Sequence, residues 1–118
     1  RAIVRGNPAL LDSLFFNLME NALRYSQTGG RVEIVVEILT GSVETRIRDE
    51  GCGFFPGEEE RIFERFYRGE GSRARETGGS GLGLAIAKYI VRYHAGTITA
   101  SSPGPGLGAE FVVVLPFG

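Results

Sequence analysis

The run Gly78-Gly79-Ser80-Gly81-Leu82-Gly83-Leu84-Ala85-Ile86-Ala87 passes from glycine directly into an amphipathic helix, which fixes a loop-to-helix junction in the last third of the chain. Such a junction suits phosphate. Glycines allow close backbone approach and positive φ, and the first helical turn offers unpaired N–H groups at the positive end of its dipole. Taken alone, the run reads equally well as a flexible hinge. No Lys-Ser or Lys-Thr follows the glycines, as a P-loop requires, and a charged, glycine-punctuated stretch stands where a dinucleotide fold needs a strand. The function therefore depends on what accompanies the loop.

The rest of the chain narrows the class. At 118 residues and 42% hydrophobic content it is one compact domain with room for a core, spanning residues 1–118. A net charge of −1 supplies no basic field, which disfavours nucleic-acid binding. Cys52 is the single cysteine, so no internal disulfide forms, in keeping with a reducing compartment. There is no apolar run long enough to span a bilayer and no signal-peptide pattern. The opening Arg1-Ala2-Ile3-Val4 reads as a strand already under way, so an excised piece of a longer protein is expected.

Asn7-Pro8 reads as an N-cap with proline at the first helical position, and apolar residues recur at Leu11, Leu14, Phe15, Leu18, Ala22 and Tyr25. This predicts a helix over about residues 8–25. Val32, Ile34, Val36 and Ile38 then alternate as a strand facing a core, and Val43, Thr45 and Ile47 alternate again after the turn Thr40-Gly41-Ser42, predicting a hairpin. A short helix is expected from Glu58, with Ile62, Phe63 and Phe66 on its apolar face. Gly69 to Ser80 holds almost nothing apolar and is expected to be mobile. A second long helix runs to about Tyr93, with Gly96 as its C-cap residue. Two strands follow, over residues 97–101 and 109–115.

On the first helix Asn17, Asn21 and Arg24 stack along one line, which at roughly 100° per residue borders the apolar stripe. A single asparagine there is an ordinary polar flank. Two in register with an arginine are more pointed, since amide oxygens suit a hard cation such as Mg²⁺ and guanidinium suits phosphate. Asp49 continues the parity of Val43, Thr45 and Ile47 and so points toward the core, where a carboxylate is costly unless hydrogen-bonded. Alternatively the strand has ended and Asp49 belongs to the turn before Gly51. The pair Gly51 and Gly53 lets a flat ligand approach the backbone and favours a pocket.

Together these segments resemble a known family. Asn17-Leu18-Met19-Glu20-Asn21-Ala22-Leu23-Arg24-Tyr25-Ser26 resembles the N box of sensor histidine kinases, and Asp49-Glu50-Gly51-Cys52-Gly53-Phe54 their first glycine box. Ile62-Phe63-Glu64-Arg65-Phe66-Tyr67-Arg68 resembles the F box, and Gly79-Ser80-Gly81-Leu82-Gly83-Leu84-Ala85-Ile86 the second glycine box. The resemblance implies an α/β two-layer sandwich of the Bergerat type, a mixed sheet covered on one face by helices, with a mobile ATP lid at Gly69 to Ser80.

By the same resemblance Asp49 accepts from the adenine amino group, with Gly51 and Gly53 lining the base pocket. Asn21, with Asn17 beside it, serves Mg²⁺, and Arg24 and Tyr25 contact the phosphate side. Gly79, Gly81, Leu82, Gly83 and Leu84 hold the phosphates, and Arg68 reaches the γ-phosphate. Asn17 and Arg68 are thus the catalytic candidates, and the implied reaction is ATP-dependent phosphorylation of a histidine on a separate upstream domain. The implied partners are that dimerisation and phosphotransfer domain and a response regulator, in a homodimeric full-length protein. The chain would be the cytoplasmic part of a membrane-anchored sensor, with no membrane or nucleic-acid contact of its own.

ATP-hydrolysing and serine-kinase relatives on the same fold usually carry a glutamate at the Asn17 position as general base, and an asparagine cannot take up a proton. Glu20 lies off the line of Asn17 and Asn21 and reads as solvated. A non-catalytic nucleotide-binding module is the third reading. Family members often carry threonine where this chain has Ala109 after Gly108. His94 is the only histidine, and it reads as a residue that closes the helix before Gly96 rather than as a phosphoacceptor.

Overall fold

The computed structural model describes residues 4–26, 29–65, 67 and 82–117. Helix α1 spans Pro8–Tyr25, with the Asn7 side chain accepting from the Leu10 N–H at 3.1 Å and proline in the first turn. It buries Leu14, Leu18 and Ala22. Strands β1 (Val32–Leu39) and β2 (Ser42–Asp49) form the expected hairpin around Thr40-Gly41, where Gly41 takes φ 78°. Helix α2 spans Gly83–Tyr93 and buries Ala87, Ile90 and Val91. Strands β3 (Thr97–Ser101) and β4 (Ala109–Pro116) complete a sheet of order β1-β2-β4-β3.

The two helices pack on each other and on one face of this sheet. Thr45, Ile47 and Asp49 of β2 and Ala109, Phe111, Val113 and Leu115 of β4 meet them from below, in strict alternation. The opposite face carries ion pairs: Arg46 and Arg48 pair with Glu44 and Glu110 on β2 and β4.

Two expectations about the sheet are corrected and a third falls outside the described residues. The described pairings are all antiparallel rather than mixed, because β1–β2 and β3–β4 are each joined by a single loop and β4 then lies antiparallel to β2. Residues 1–3 of the strand expected at the start lie outside the described residues. The alternating face of β1 is not in the core. Ile34 and Val36 sit opposite Ile47 and Thr45, hence on the helix-facing side, yet Ile34, Val36 and Ile38 remain 45, 63 and 63% exposed. β1 is an edge strand, and the helices cover β2, β4 and β3 instead.

The helix expected from Glu58 is a 3-10 turn, Arg61–Phe63. Acidic side chains bind nearby backbone there: the Phe55 N–H donates to Glu58 at 2.8 Å and the Gly57 N–H to Glu59 at 2.9 Å, which holds a turn in place of a first helical turn. Phe63 still reaches the core, edge-to-face on Phe111 at 6.1 Å. Phe66 and the segment Gly69 to Ser80 lie outside the described residues.

Helix α2 ends as expected but with its roles exchanged. Ala95, not Gly96, adopts the left-handed conformation, at φ 59°. Gly96 is needed for another reason: a Cβ there would lie 2.3 Å from the Val114 carbonyl oxygen. Since a side chain in the left-handed region costs about 1 kcal/mol and Ala95 is exposed, Ala95→Gly is expected to raise unfolding free energy by up to about 1 kcal/mol in urea titration. A loss of stability would show that this residue is not strained.

Candidate nucleotide site

The polar line on α1 borders the core as its spacing predicts. Asn17 donates through its amide nitrogen to the Ser13 carbonyl at 2.8 Å, which leaves its carbonyl oxygen turned toward the start of α2. A Cβ added to Gly83 would lie 3.3 Å from that oxygen. Asn21, Arg24 and Tyr25 are half-buried along the same helix. The Arg24 guanidinium pairs with Glu20 at 3.3 Å, so Glu20 is an ion-pair partner on the outer flank.

Asp49 ends β2 and is 5% exposed, as the parity argument required. Its Oδ1 accepts from the Gly51 N–H at 2.9 Å. Burial pushes its carboxyl above the ordinary value, opposed by the backbone N–H groups of Gly51 and Ala109, which favour the charged form. The end of α1 meets the same loop: the Cys52 N–H donates to the Tyr25 carbonyl at 3.1 Å, and Ser26 and Gly51 form an isolated bridge. The base-pocket candidates and the α1 candidates are thereby joined through backbone.

Gly53 takes φ 57° and packs against the β3–β4 loop, where a Cβ would lie 2.5 Å from the Gly104 carbonyl oxygen. That loop holds the pocket segment by further bonds, Gly108 N–H to the Gly51 carbonyl at 3.0 Å and Gly106 N–H to the Cys52 carbonyl at 2.7 Å. Leu82 is the N-cap of α2, and no side chain caps the helix there, so Gly83 and Leu84 begin it with backbone N–H groups directed out of the helix end. The candidates Arg68, Gly79 and Gly81 lie outside the described residues. Among the described residues no group of three His, Cys, Asp or Glu side chains is placed to hold a metal ion. The side-chain amide oxygens of Asn17 and Asn21 are donors of the chemical type that a hard cation such as Mg²⁺ accepts.

Sequence reasoning missed two anchors. Ser102 links two glycine loops, residues 51–53 after β2 and residues 104–108 between β3 and β4, and its place before Pro103-Gly104 was readable only as a turn signal. Glu58 is buried, accepts from Phe55 and receives the Tyr67 hydroxyl, yet in sequence it is one of three consecutive glutamates. His94 behaves as expected. Its Nε2 accepts from the Asn7 N–H at 3.0 Å, so the proton sits on Nδ1 and is donated to the Ile90 carbonyl at 2.8 Å. Buried and bonded at both nitrogens, it fastens the start of α1 to the end of α2.

Comparison with known proteins agrees with this geometry. Residues 6–118 match the model of the "Histidine kinase-, DNA gyrase B-, and HSP90-like ATPase" family. Sensor-like histidine kinase SenX3 of Mycobacterium tuberculosis is 44% identical over 96% of the chain, and signal transduction histidine-protein kinase BaeS of Escherichia coli 43% over 96%. The chain covers 27% and 24% of those proteins, about a quarter of their length. The solved mycobacterial sensor histidine kinase MprB superposes with a TM-score of 0.87 at 37% identity, covering 96% of this chain and 76% of that one. No helix among the described residues is long and apolar enough to cross a membrane. The chain belongs to the histidine kinase-, DNA gyrase B- and HSP90-like ATPase family, as an ATP-binding domain of the sensor histidine kinase type.

Proposed function

We propose that this domain binds Mg-ATP between α1, the start of α2 and the Asp49 end of the sheet, and presents the γ-phosphate to a histidine on a separate dimerisation and phosphotransfer domain. A response regulator would then receive the phosphoryl group. The supporting observation is Asp49: a buried carboxylate with Oδ1 held by Gly51, beside backbone that only glycine permits to come so close. It is an acceptor suited to the adenine amino group, with Gly51 and Gly53 lining the base.

Asn21, with Asn17, would hold Mg²⁺, which supplies charge neutralisation at the phosphates when bound. Arg24 and Tyr25 would face the phosphate side. Release of Arg24 from Glu20 costs little, since a pair at the solvent boundary with one exposed partner is worth about 1 kcal/mol or less. Backbone groups of Gly79, Gly81, Leu82, Gly83 and Leu84 would bind phosphate oxygens at the helix end, and Arg68 would neutralise the γ-phosphate. ATP hydrolysis is the weaker reading because Asn17 is no base, and Glu20 faces Arg24 on the outer flank. Catalysis then rests on positioning and charge neutralisation, with base and acceptor supplied in trans by a homodimeric, membrane-anchored sensor.

Calorimetry should show binding of ATP and ADP, with Asn21→Ala lowering affinity more in Mg²⁺ than in its absence. Equal losses in both conditions would remove Asn21 from the metal site. Incubation with γ-labelled ATP should leave the isolated chain unlabelled, and label on His94 would overturn the reading.

A further inference from the structure

We propose that Ser102 is a positioning residue for the base pocket: its hydroxyl sets the separation of the two glycine loops that hold Asp49, and through it the preference for adenine. The inference rests on the reading of Asp49 as the adenine acceptor.

A serine hydroxyl has one proton to give and two lone pairs. Two carbonyl oxygens lie within reach of the Ser102 hydroxyl, that of Gly108 at 2.6 Å and that of Gly104 at 3.2 Å, and the nearer is the better acceptor for its proton. The hydroxyl oxygen accepts from the Phe54 N–H at 3.1 Å and the Gly104 N–H at 3.2 Å. One side chain thus ties the segment after β2 to Gly108, the residue just before β4. Gly53 sits in the seam between them, where a Cβ would lie 2.6 Å from Ser102 Oγ and 2.8 Å from the Gly108 carbonyl oxygen.

The seam matters because the supports of Asp49 lie on both sides of it. The Gly51 N–H belongs to the loop that Ser102 grips through Phe54, and the Ala109 N–H follows Gly108, which Ser102 grips directly. Separating the loops moves one support relative to the other and turns the carboxylate. Without the hydroxyl, the Phe54 N–H and one lone pair of Gly108 lose their partner in a part-buried seam. A carboxylate rewards an amino N–H and repels a carbonyl oxygen at the same ring position, so discrimination between adenine and hypoxanthine depends on its orientation.

The test is competition binding of ADP and IDP to the 118-residue chain, with thermal unfolding recorded alongside. Ser102→Ala is expected to weaken ADP binding by about 3- to 10-fold and to leave IDP within about two-fold, so the ADP preference shrinks. Equal losses for both nucleotides, or an unchanged preference, would overturn the proposal, because a merely structural role scales both alike. Should Ser102→Ala fail to fold, Ser102→Cys keeps the volume with weaker bonds; a smaller shift in the same direction is expected, and an unchanged preference overturns the proposal equally. A wild-type chain that binds neither nucleotide, or both alike, would instead overturn the reading of the adenine contact itself.

Discussion

Replacing Asp49 by alanine is expected to weaken ATP binding by about 1.5 to 3 kcal/mol, the range for a hydrogen bond to a charged acceptor, and to abolish the preference for ATP over GTP. The apo fold should survive. Asp49 is buried at the end of β2, and its side chain is held by nearby backbone, the Gly51 N–H at 2.9 Å and the Ala109 N–H of the paired strand, so no packing contact of the core is lost. Asp49→Asn is the more discriminating variant, since it keeps the shape and removes the charge.

The pH dependence follows from the direction of the shift. The folded-state pKa is raised above the ordinary value, chiefly by burial. The ionised form is therefore the costly one, and the penalty is present above the raised pKa. It is relieved as pH falls through the raised pKa toward the ordinary value. Asp49→Asn removes this penalty, so apo stability at neutral pH should be unchanged or higher while adenine affinity falls. Calorimetry with ATP and GTP, paired with thermal unfolding at two pH values, separates these effects. Unchanged affinity with ATP still preferred would refute the adenine role.

The elements legible from sequence are those whose periodicity and punctuation agree. α1 carries an Asn-Pro start and a stripe through Leu14, Leu18 and Ala22, and α2 and β4 bury the residues their patterns select. Asp49 was legible because parity along β2 continues to its last residue. Exposure of β1 was not, because its alternation is that of a buried strand and only the order β1-β2-β4-β3 places it at an edge. The 3-10 turn was hidden by side-chain bonds of Glu58 and Glu59 that compete with a helix. The Ser102 clamp spans 48 residues to Phe54 and leaves no local trace. At the candidate site, what escapes the sequence is the meeting of two loops distant in the chain.

Gly51→Ala should be strongly disruptive at the junction of α1 with the pocket loop. A Cβ at Gly51 would lie 2.3 Å from the Tyr25 carbonyl oxygen and 2.8 Å from Asp49 Oδ1, and the first of these is backbone that cannot swing aside. Relief requires the end of α1 to move away from the pocket loop, breaking the Cys52 N–H to Tyr25 bond at 3.1 Å and the Ser26–Gly51 bridge. Crowding of this kind costs about 2 to 4 kcal/mol, and here it also parts Arg24 and Tyr25, the proposed phosphate-side residues, from the proposed base pocket. Gly106→Ala is the matched control. Gly106 takes φ 80° with nothing within 4 Å of an added Cβ, so it meets only the conformational cost of about 1 kcal/mol. Urea unfolding and ADP titration of both variants should therefore show a larger stability loss and a much larger affinity loss for Gly51→Ala. If the two variants behave alike, backbone contact between α1 and the pocket loop does not hold the two halves of the site together, and Asp49 must be placed by the sheet alone.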